Sequence, residues 1–267
     1  MAKFENFLHY EIIGSGPTIY FLHGLGIDLT SMKVIYEPFF KGRTFRRVYL
    51  DLPGMGQSEM PADLESSDDV LALLLAFIKQ DSPQEKFQLC GHSYGGYLCL
   101  AIAQAMSQQV DQLFLTAPVV VANNRNRQIA QIKTNLLDNY VDPHPAWENF
   151  AAMNVNISQQ HWLIYQQAIL PGVSRFKSAA WHQIQFSPEN KYTLSIEADI
   201  QKKSDDYRGT ILLGKNDDVV GFQQQLNLIT PTNQLEVAIL NDTGHNVFID
   251  SPEMTAFYFE RFLTLRK

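Results

Sequence analysis

Only two cysteines, Cys90 and Cys99, occur in the 267 residues. That excludes a disulfide framework, and both sit in apolar surroundings that suit buried free thiols. Long hydrophobic runs are missing too. None approaches the roughly 18 apolar residues that cross a bilayer, so no transmembrane helix is expected. The opening stretch, MAKFENFLHYEIIG, lacks the apolar centre of a signal peptide, and a soluble cytoplasmic protein is expected. There is no excess of positive charge: 21 Lys and Arg face 28 Asp and Glu, a formal net charge of −7. This balance argues against nucleic acid or an anionic membrane surface as partner. Metal-ligand spacings and a phosphate-binding glycine loop with lysine are also absent, so neither a metal nor a cofactor is expected. Nothing in the sequence sets an oligomeric state.

The chain does have short apolar runs, each closed by turn residues. They are TIYFLHG (18–24), RRVYLDLPG (46–54), FQLCGHS (87–93), DQLFLTAP (111–118), TILLGKND (210–217) and LEVAILNDTG (235–244). Continuous runs of this length suit strands buried on both faces of a parallel sheet. An earlier piece, FLHYEIIGSGP (7–17), alternates and predicts an antiparallel edge hairpin. Helical patterns lie between the runs. SSDDVLALLLAFIKQ (66–80) opens on Ser and Asp, which favour a helix N-terminus. YGGYLCLAIAQAMSQQ (94–109) keeps Leu98, Ile102 and Ala105 on one face. SPEMTAFYFERFLTL (251–265) has Pro252 at a first helical position. Strand–helix alternation of this kind means an α/β fold, a mostly parallel sheet with helices on both faces.

Residues 123–205 break the alternation. They are rich in Asn and Gln and hold all three tryptophans, Trp147, Trp162 and Trp181. NRQIAQIKTNLLDNY (126–140), QHWLIYQQAIL (160–170) and RFKSAAWHQIQF (175–186) are expected to be amphipathic helices. The predicted organisation is a core over 1–122 and 206–267, with a helical lid over 123–205 inserted between two sheet strands. The lid tryptophans are the candidates for lining a substrate pocket.

The stretch FQLCGHSYGGYL (87–98) surrounds one hydroxyl, Ser93, with Gly91, Gly95 and Gly96. A serine needs a base to act as a nucleophile and must protrude where a substrate can reach it. A sharp strand-to-helix turn achieves the second, and only very small residues fit two before and two after its apex. HGLG (23–26) follows another strand, and its glycines let the backbone approach a ligand. An oxyanion needs two N–H donors. Tyr94, the residue after the serine, and Leu25 are the candidates. His23 is read as a structural residue of that loop. His245, in NDTGHNVFIDSPE (241–253), lies between a strand and the last helix and is the candidate base. His9, His92, His144, His161 and His182 are less well placed. The orienting acid is expected at a strand end, where LLGKNDDVV offers Asp217, favoured, and Asp218.

The order Ser93, Asp217, His245, together with HGLG, DLPGMGQS (51–58), GHSYGG, GKND and GHNVFIDSPE, resembles the α/β-hydrolase superfamily. The likeness covers nearly all of the chain outside the lid. It implies a Ser-His-Asp triad working through an acyl-enzyme, with the turn Gly214–Asp217 supplying the acid. Asp218 departs from the proline that relatives often carry there. Serine at the elbow is unlike haloalkane dehalogenases and epoxide hydrolases, and HGLG is unlike the HGGPG of proline iminopeptidases. What remains is a carboxylesterase-like or lactonase-like hydrolase of a small-molecule substrate. Perhydrolases and carbon–carbon-bond hydrolases are relatives, and some members of the fold act as slow-turnover receptors.

Overall fold

Strands with apolar residues at consecutive positions need cover on both sides, and the six runs form a parallel array that has it. The computed structural model describes residues 2–202 and 204–264. In chain order the strands are β1 (Ala2–Phe4), β2 (Leu8–Ile13), β3 (Thr18–Leu22), β4 (Arg46–Leu50), β5 (Phe87–His92), β6 (Val110–Thr116), β7 (Asn135–Leu136), β8 (Asn156–Ile157), β9 (Arg208–Gly214) and β10 (Gln234–Leu240). Eight make one sheet, in the order β1-β2-β4-β3-β5-β6-β9-β10. From β4 to β10 every neighbour is parallel. Only β2 runs against its neighbours; the antiparallel hairpin expected over 7–17 forms instead between β2 and the upstream β1, turning at residues 5–7, and β2 pairs on its other side with β4 rather than with β3.

The helices are α1 (Leu29–Tyr36), α2 (Ser67–Asp81), α3 (Tyr94–Ala105), α4 (Trp147–Met153), α5 (Gln159–Ala168), α6 (Leu170–Val173), α7 (Ser178–Gln185), α8 (Glu197–Lys202), α9 (Val247–Asp250) and α10 (Pro252–Thr264). The last residue expected in α10, Leu265, lies outside the described residues. Strand pleating sends neighbouring side chains to opposite faces. On β3, Tyr20 meets Phe77 of α2, while Phe21 meets Tyr36 of α1 and Phe259 of α10. The helices therefore cover both faces. The N-terminus of α2 is capped as its sequence suggests: Ser66 Oγ accepts from the Asp69 N–H and donates to the Asp69 carboxylate. Both cysteines are buried and free. No helix of the described residues is long and apolar enough to cross a membrane.

The segment between β6 and β9 holds α4 to α8. Two of its three expected helices are present, as α5 and α7. The stretch 126–140 is not a helix. It runs on from a single turn at Asn124–Asn126 through irregular chain into β7. Asn126, Thr134, Asn135, Asp138 and Asn139 are weak helix formers whose side chains compete for backbone groups. The backbone donors here also find distant partners. Ala130 N–H bonds Asp217 O, Asn135 N–H bonds Val155 O and Leu137 N–H bonds Ile157 O. Tertiary pairing overrides the apolar periodicity. A second apolar cluster, with Phe150, Trp162 and Tyr165 against Phe248 and Ile249, sits beside the main core.

Candidate active site

Ser93 follows β5 directly and opens onto α3, with φ +54° and ψ −116°. This left-handed backbone is uncommon outside glycine and marks local strain. The surroundings hold it in place. Its N–H donates to Thr116 O at 3.0 Å, and its carbonyl accepts from the N–H groups of Tyr97 and Val119, each at 3.1 Å. The glycines answer to close packing. A Cβ on Gly95 would collide with the carbonyls of Leu22 and His23, and one on Gly91 would lie 2.7 Å from Cys99 Sγ.

His245 stands in the loop between β10 and α9. Its Nε2 lies 2.9 Å from Ser93 Oγ, and its Nδ1 lies 2.9 Å from Asp217 Oδ2. Asp217 Oδ1 accepts from the N–H groups of Val219 and Val220, both at 2.8 Å. Burial alone would raise the Asp217 carboxyl. The charge and hydrogen bond of His245, with those two N–H groups, outweigh it and hold the carboxyl below its ordinary range. The ionised carboxylate accepts only, so Nδ1 carries the proton and Nε2 is free to accept from the Ser93 hydroxyl. Asp218 is half-buried, and burial followed by the Asp217 charge pushes its carboxyl up. His245 Nδ1–H thus donates to Asp217, not to Asp218.

Leu25 lies in the loop after β3, which is pressed onto Ser93. A Cβ on Gly24 would sit 3.2 Å from Ser93 Cβ. Tyr94 is the first residue of α3, so its N–H is among those a helix leaves without an intrahelical acceptor. His23 secures the loop: Nδ1 donates to Gly24 O at 2.8 Å and Nε2 accepts from Leu52 N–H at 2.9 Å. Burial lowers the pKa of His23, consistent with a neutral ring in that role. Gly26 N–H donates to Met55 Sδ at 3.2 Å. The loop after β4 is tied by the Asp51 carboxylate, which accepts from the N–H groups of Leu29 and Gln57 and bonds His9 Nδ1 at 2.7 Å. His92 lies beside His245, ring centroids 5.1 Å apart. Burial, then the charge of His245, depress its pKa to about 3.

The tryptophans go to different places. Trp162 is buried against Trp147, Phe150 and Tyr165 in the second cluster. Trp181 packs edge-on against Tyr94, and its Nε1–H donates to Pro53 O at 2.9 Å. Two residues that sequence reasoning passed over also belong here. Phe176 stands against the Leu25 loop, 3.6 Å from where a Gly26 Cβ would be. Asp250 accepts from Gly244 N–H at 2.8 Å with one oxygen and from Val155 and Asn156 N–H with the other. Nothing in the sequence singles out Phe176. Asp250 could have been noticed as a carboxylate closing the apolar run VFID, a burial that demands partners.

In line, the three side chains can move a proton from Ser93 to His245 and stabilise the imidazolium that results. Comparison with known proteins agrees with the fold. The model of the Alpha/beta hydrolase family matches residues 19–256. An alpha/beta superfamily hydrolase of solved structure from Oenococcus oeni PSU-1 is 38% identical, with a TM-score of 0.90 over 96% of this chain and 95% of that one. A pimeloyl-[acyl-carrier protein] methyl ester esterase of Vibrio campbellii is 32% identical over 113 residues, 41% of this chain and 40% of that protein. A 2-hydroxy-6-oxononadienedioate/2-hydroxy-6-oxononatrienedioate hydrolase of Paraburkholderia phymatum is 29% identical over 111 residues, 40% of this chain and 38% of that protein. The alignments thus span about two fifths of the length of these curated relatives.

Proposed function

The chain belongs to the α/β-hydrolase family, and from that premise we propose that it is a serine hydrolase of small carboxylic esters or lactones. The observation that carries the reading is the unbroken hydrogen-bonded line Ser93–His245–Asp217. Ser93 Oγ attacks the ester carbonyl while His245 Nε2 takes its proton. The tetrahedral oxyanion faces the N–H groups of Leu25 and Tyr94, the latter at the positive end of a helix. His245 then protonates the leaving alcohol, and the acyl-enzyme forms. Water, deprotonated by the same imidazole, hydrolyses it and returns Ser93. Asp217 keeps the imidazole in the required tautomer throughout.

Residues 123–205 act as the lid over this chemistry. Support comes from three places where the segment touches catalytic loops. Ala130 bonds the backbone of Asp217, Val155 and Asn156 bond Asp250 behind His245, and Trp181 rests on Tyr94. Ser93 is 9% exposed and His245 6%, so the site is well shielded from water.

Labelling with a fluorophosphonate, followed by peptide mapping, tests the assignment. Ser93 should carry the adduct, and Ser93→Ala should lose both labelling and hydrolysis of p-nitrophenyl acetate. Labelling retained in the variant would overturn it. A protein labelled at Ser93 that turns over no ester, lactone or thioester would instead be a receptor built on the same fold. One that cleaves only a carbon–carbon bond would share the activity type named for the Paraburkholderia relative.

A further inference from the structure

A groove of about 780 Å³ opens between residues 59–65 and α7 of the inserted segment. Its volume falls within the range that holds small molecules. Met60, Leu64, Phe176, Ala180 and Ile184 supply its apolar walls. Of the charged groups that line it, Lys191 pairs with Glu65 at 2.8 Å and Glu59 with Lys3 at 2.7 Å, while Lys177 is exposed. The apolar walls suit an apolar chain, with the charged groups at the rim rather than between them.

Two of its wall residues also border the oxyanion side of the catalytic centre. The Phe176 ring lies against Gly26, next to Leu25. Met60 Sδ and Trp181 Nε1 each lie 3.2 Å from where a Cβ on Gly54 would be, and Trp181 packs on Tyr94. Phe176, and Met60 by way of Trp181, therefore stand between the groove and the residues proposed to supply the two oxyanion donors. His245 is flanked by another limb of the segment, where Asn154 Oδ1 accepts from Asn246 Nδ2.

The two halves of an ester have different needs. The leaving-group oxygen must come within reach of His245 Nε2, which protonates it. The acyl chain departs from the same carbon on the other side, past the oxyanion donors. We infer that the groove receives the acyl chain of a medium-length ester, and that Phe176 is the specificity-determining partition between the groove and the Leu25 loop. The inference rests on the hydrolase reading for its chemistry and on Phe176, Met60 and Trp181 for its place.

The test compares kcat/KM for p-nitrophenyl octanoate with that for p-nitrophenyl acetate. Ala180→Trp fills the groove and should lower the octanoyl-to-acetyl ratio by about ten-fold or more. Ala179→Trp enlarges an exposed residue of the same lining and should act in the same direction, whatever the first variant does to folding. Phe176→Ala should raise the ratio. A second readout needs no turnover: octanoate titrated calorimetrically into the Ser93→Ala protein should bind, and adding Ala180→Trp or Ala179→Trp should weaken binding about ten-fold. Ester hydrolysis with an unmoved ratio and unmoved binding would overturn the groove and leave the hydrolase standing. Groove-dependent octanoate binding in a protein that neither labels at Ser93 nor hydrolyses esters would support the groove and sink the hydrolase.

Discussion

Asp250 reaches across from the end of α9 to Val155 of the inserted segment, its Oδ1 2.9 Å from that N–H, while its Oδ2 holds Gly244 next to His245. One carboxylate thus joins the segment to the loop of the proposed base. Burial raises its pKa from 3.8 to about 6, against the N–H groups of Asn156, Gly244 and Val155, which lower it. The folded state therefore holds this proton more tightly than the unfolded chain does. The stabilisation is full below 3.8 and is lost as pH rises to about 6. Thermal melts of wild type and Asp250→Asn should show it, because the variant does not titrate here. Wild type minus variant should fall across that window, by about 3 kcal/mol for a shift of about two pKa units. A difference that stays flat or climbs with pH would contradict the account.

Asp217→Asn should keep the fold and lower kcat by about 10⁴-fold, the scale seen when a triad acid loses its charge and the imidazole its tautomer. Asp218→Asn should cost less than ten-fold, since that carboxylate makes no hydrogen bond to His245 among the described residues. Steady-state kinetics on one short ester separates the two. A reversed order would move the acid one residue along the turn.

The meeting of these three side chains could be read in advance because they lie where strands end. β5, β9 and β10 are recognisable as apolar runs, and the residues just beyond them, Ser93, Asp217 and His245, converge because the strands are parallel. Parallel order turns separation along the chain into proximity at one sheet edge. The inserted segment resisted the same logic. Residues 126–140 carry an apolar period without the backbone preference to match, and pairings with Asp217, Val155 and Ile157 decided their path. Phe176 and Asp250 act through contacts with residues 150 and 95 positions away, Gly26 and Val155, which no local pattern encodes.

Gly95→Ala tests the elbow without touching its chemistry. The added methyl meets two carbonyls of β3 and the loop after it, which cannot withdraw without unpairing the sheet. Overpacking of this kind costs about 1–3 kcal/mol or more. Denaturant titration should show that loss, and fluorophosphonate labelling should slow because Ser93 shifts with the turn. Wild-type stability in the variant would mean that the contact is softer than the geometry implies.

The tryptophans offer a contrast in which stability and specificity come apart. Trp162 is wholly buried among Trp147, Phe150 and Tyr165, and the second cluster closes around it. Trp162→Ala should therefore cost about 3–5 kcal/mol, the usual range for emptying an aromatic site, with the acyl-chain profile little changed in the folded fraction. Trp181 is equally buried but bonds Pro53 and packs on Tyr94, one of the two proposed oxyanion donors. Trp181→Phe keeps most of the packing and removes the N–H, leaving the Pro53 carbonyl without that donor. Loss of one buried hydrogen bond is worth about 1–3 kcal/mol. Part of that loss should appear as displacement of the 53–54 turn and of Tyr94, so kcat should fall more than Tm alone would suggest. Melts and kinetics on the same preparations decide it. If Trp162→Ala reshapes the acyl profile while Trp181→Phe leaves kcat intact, the roles assigned to these two residues are exchanged.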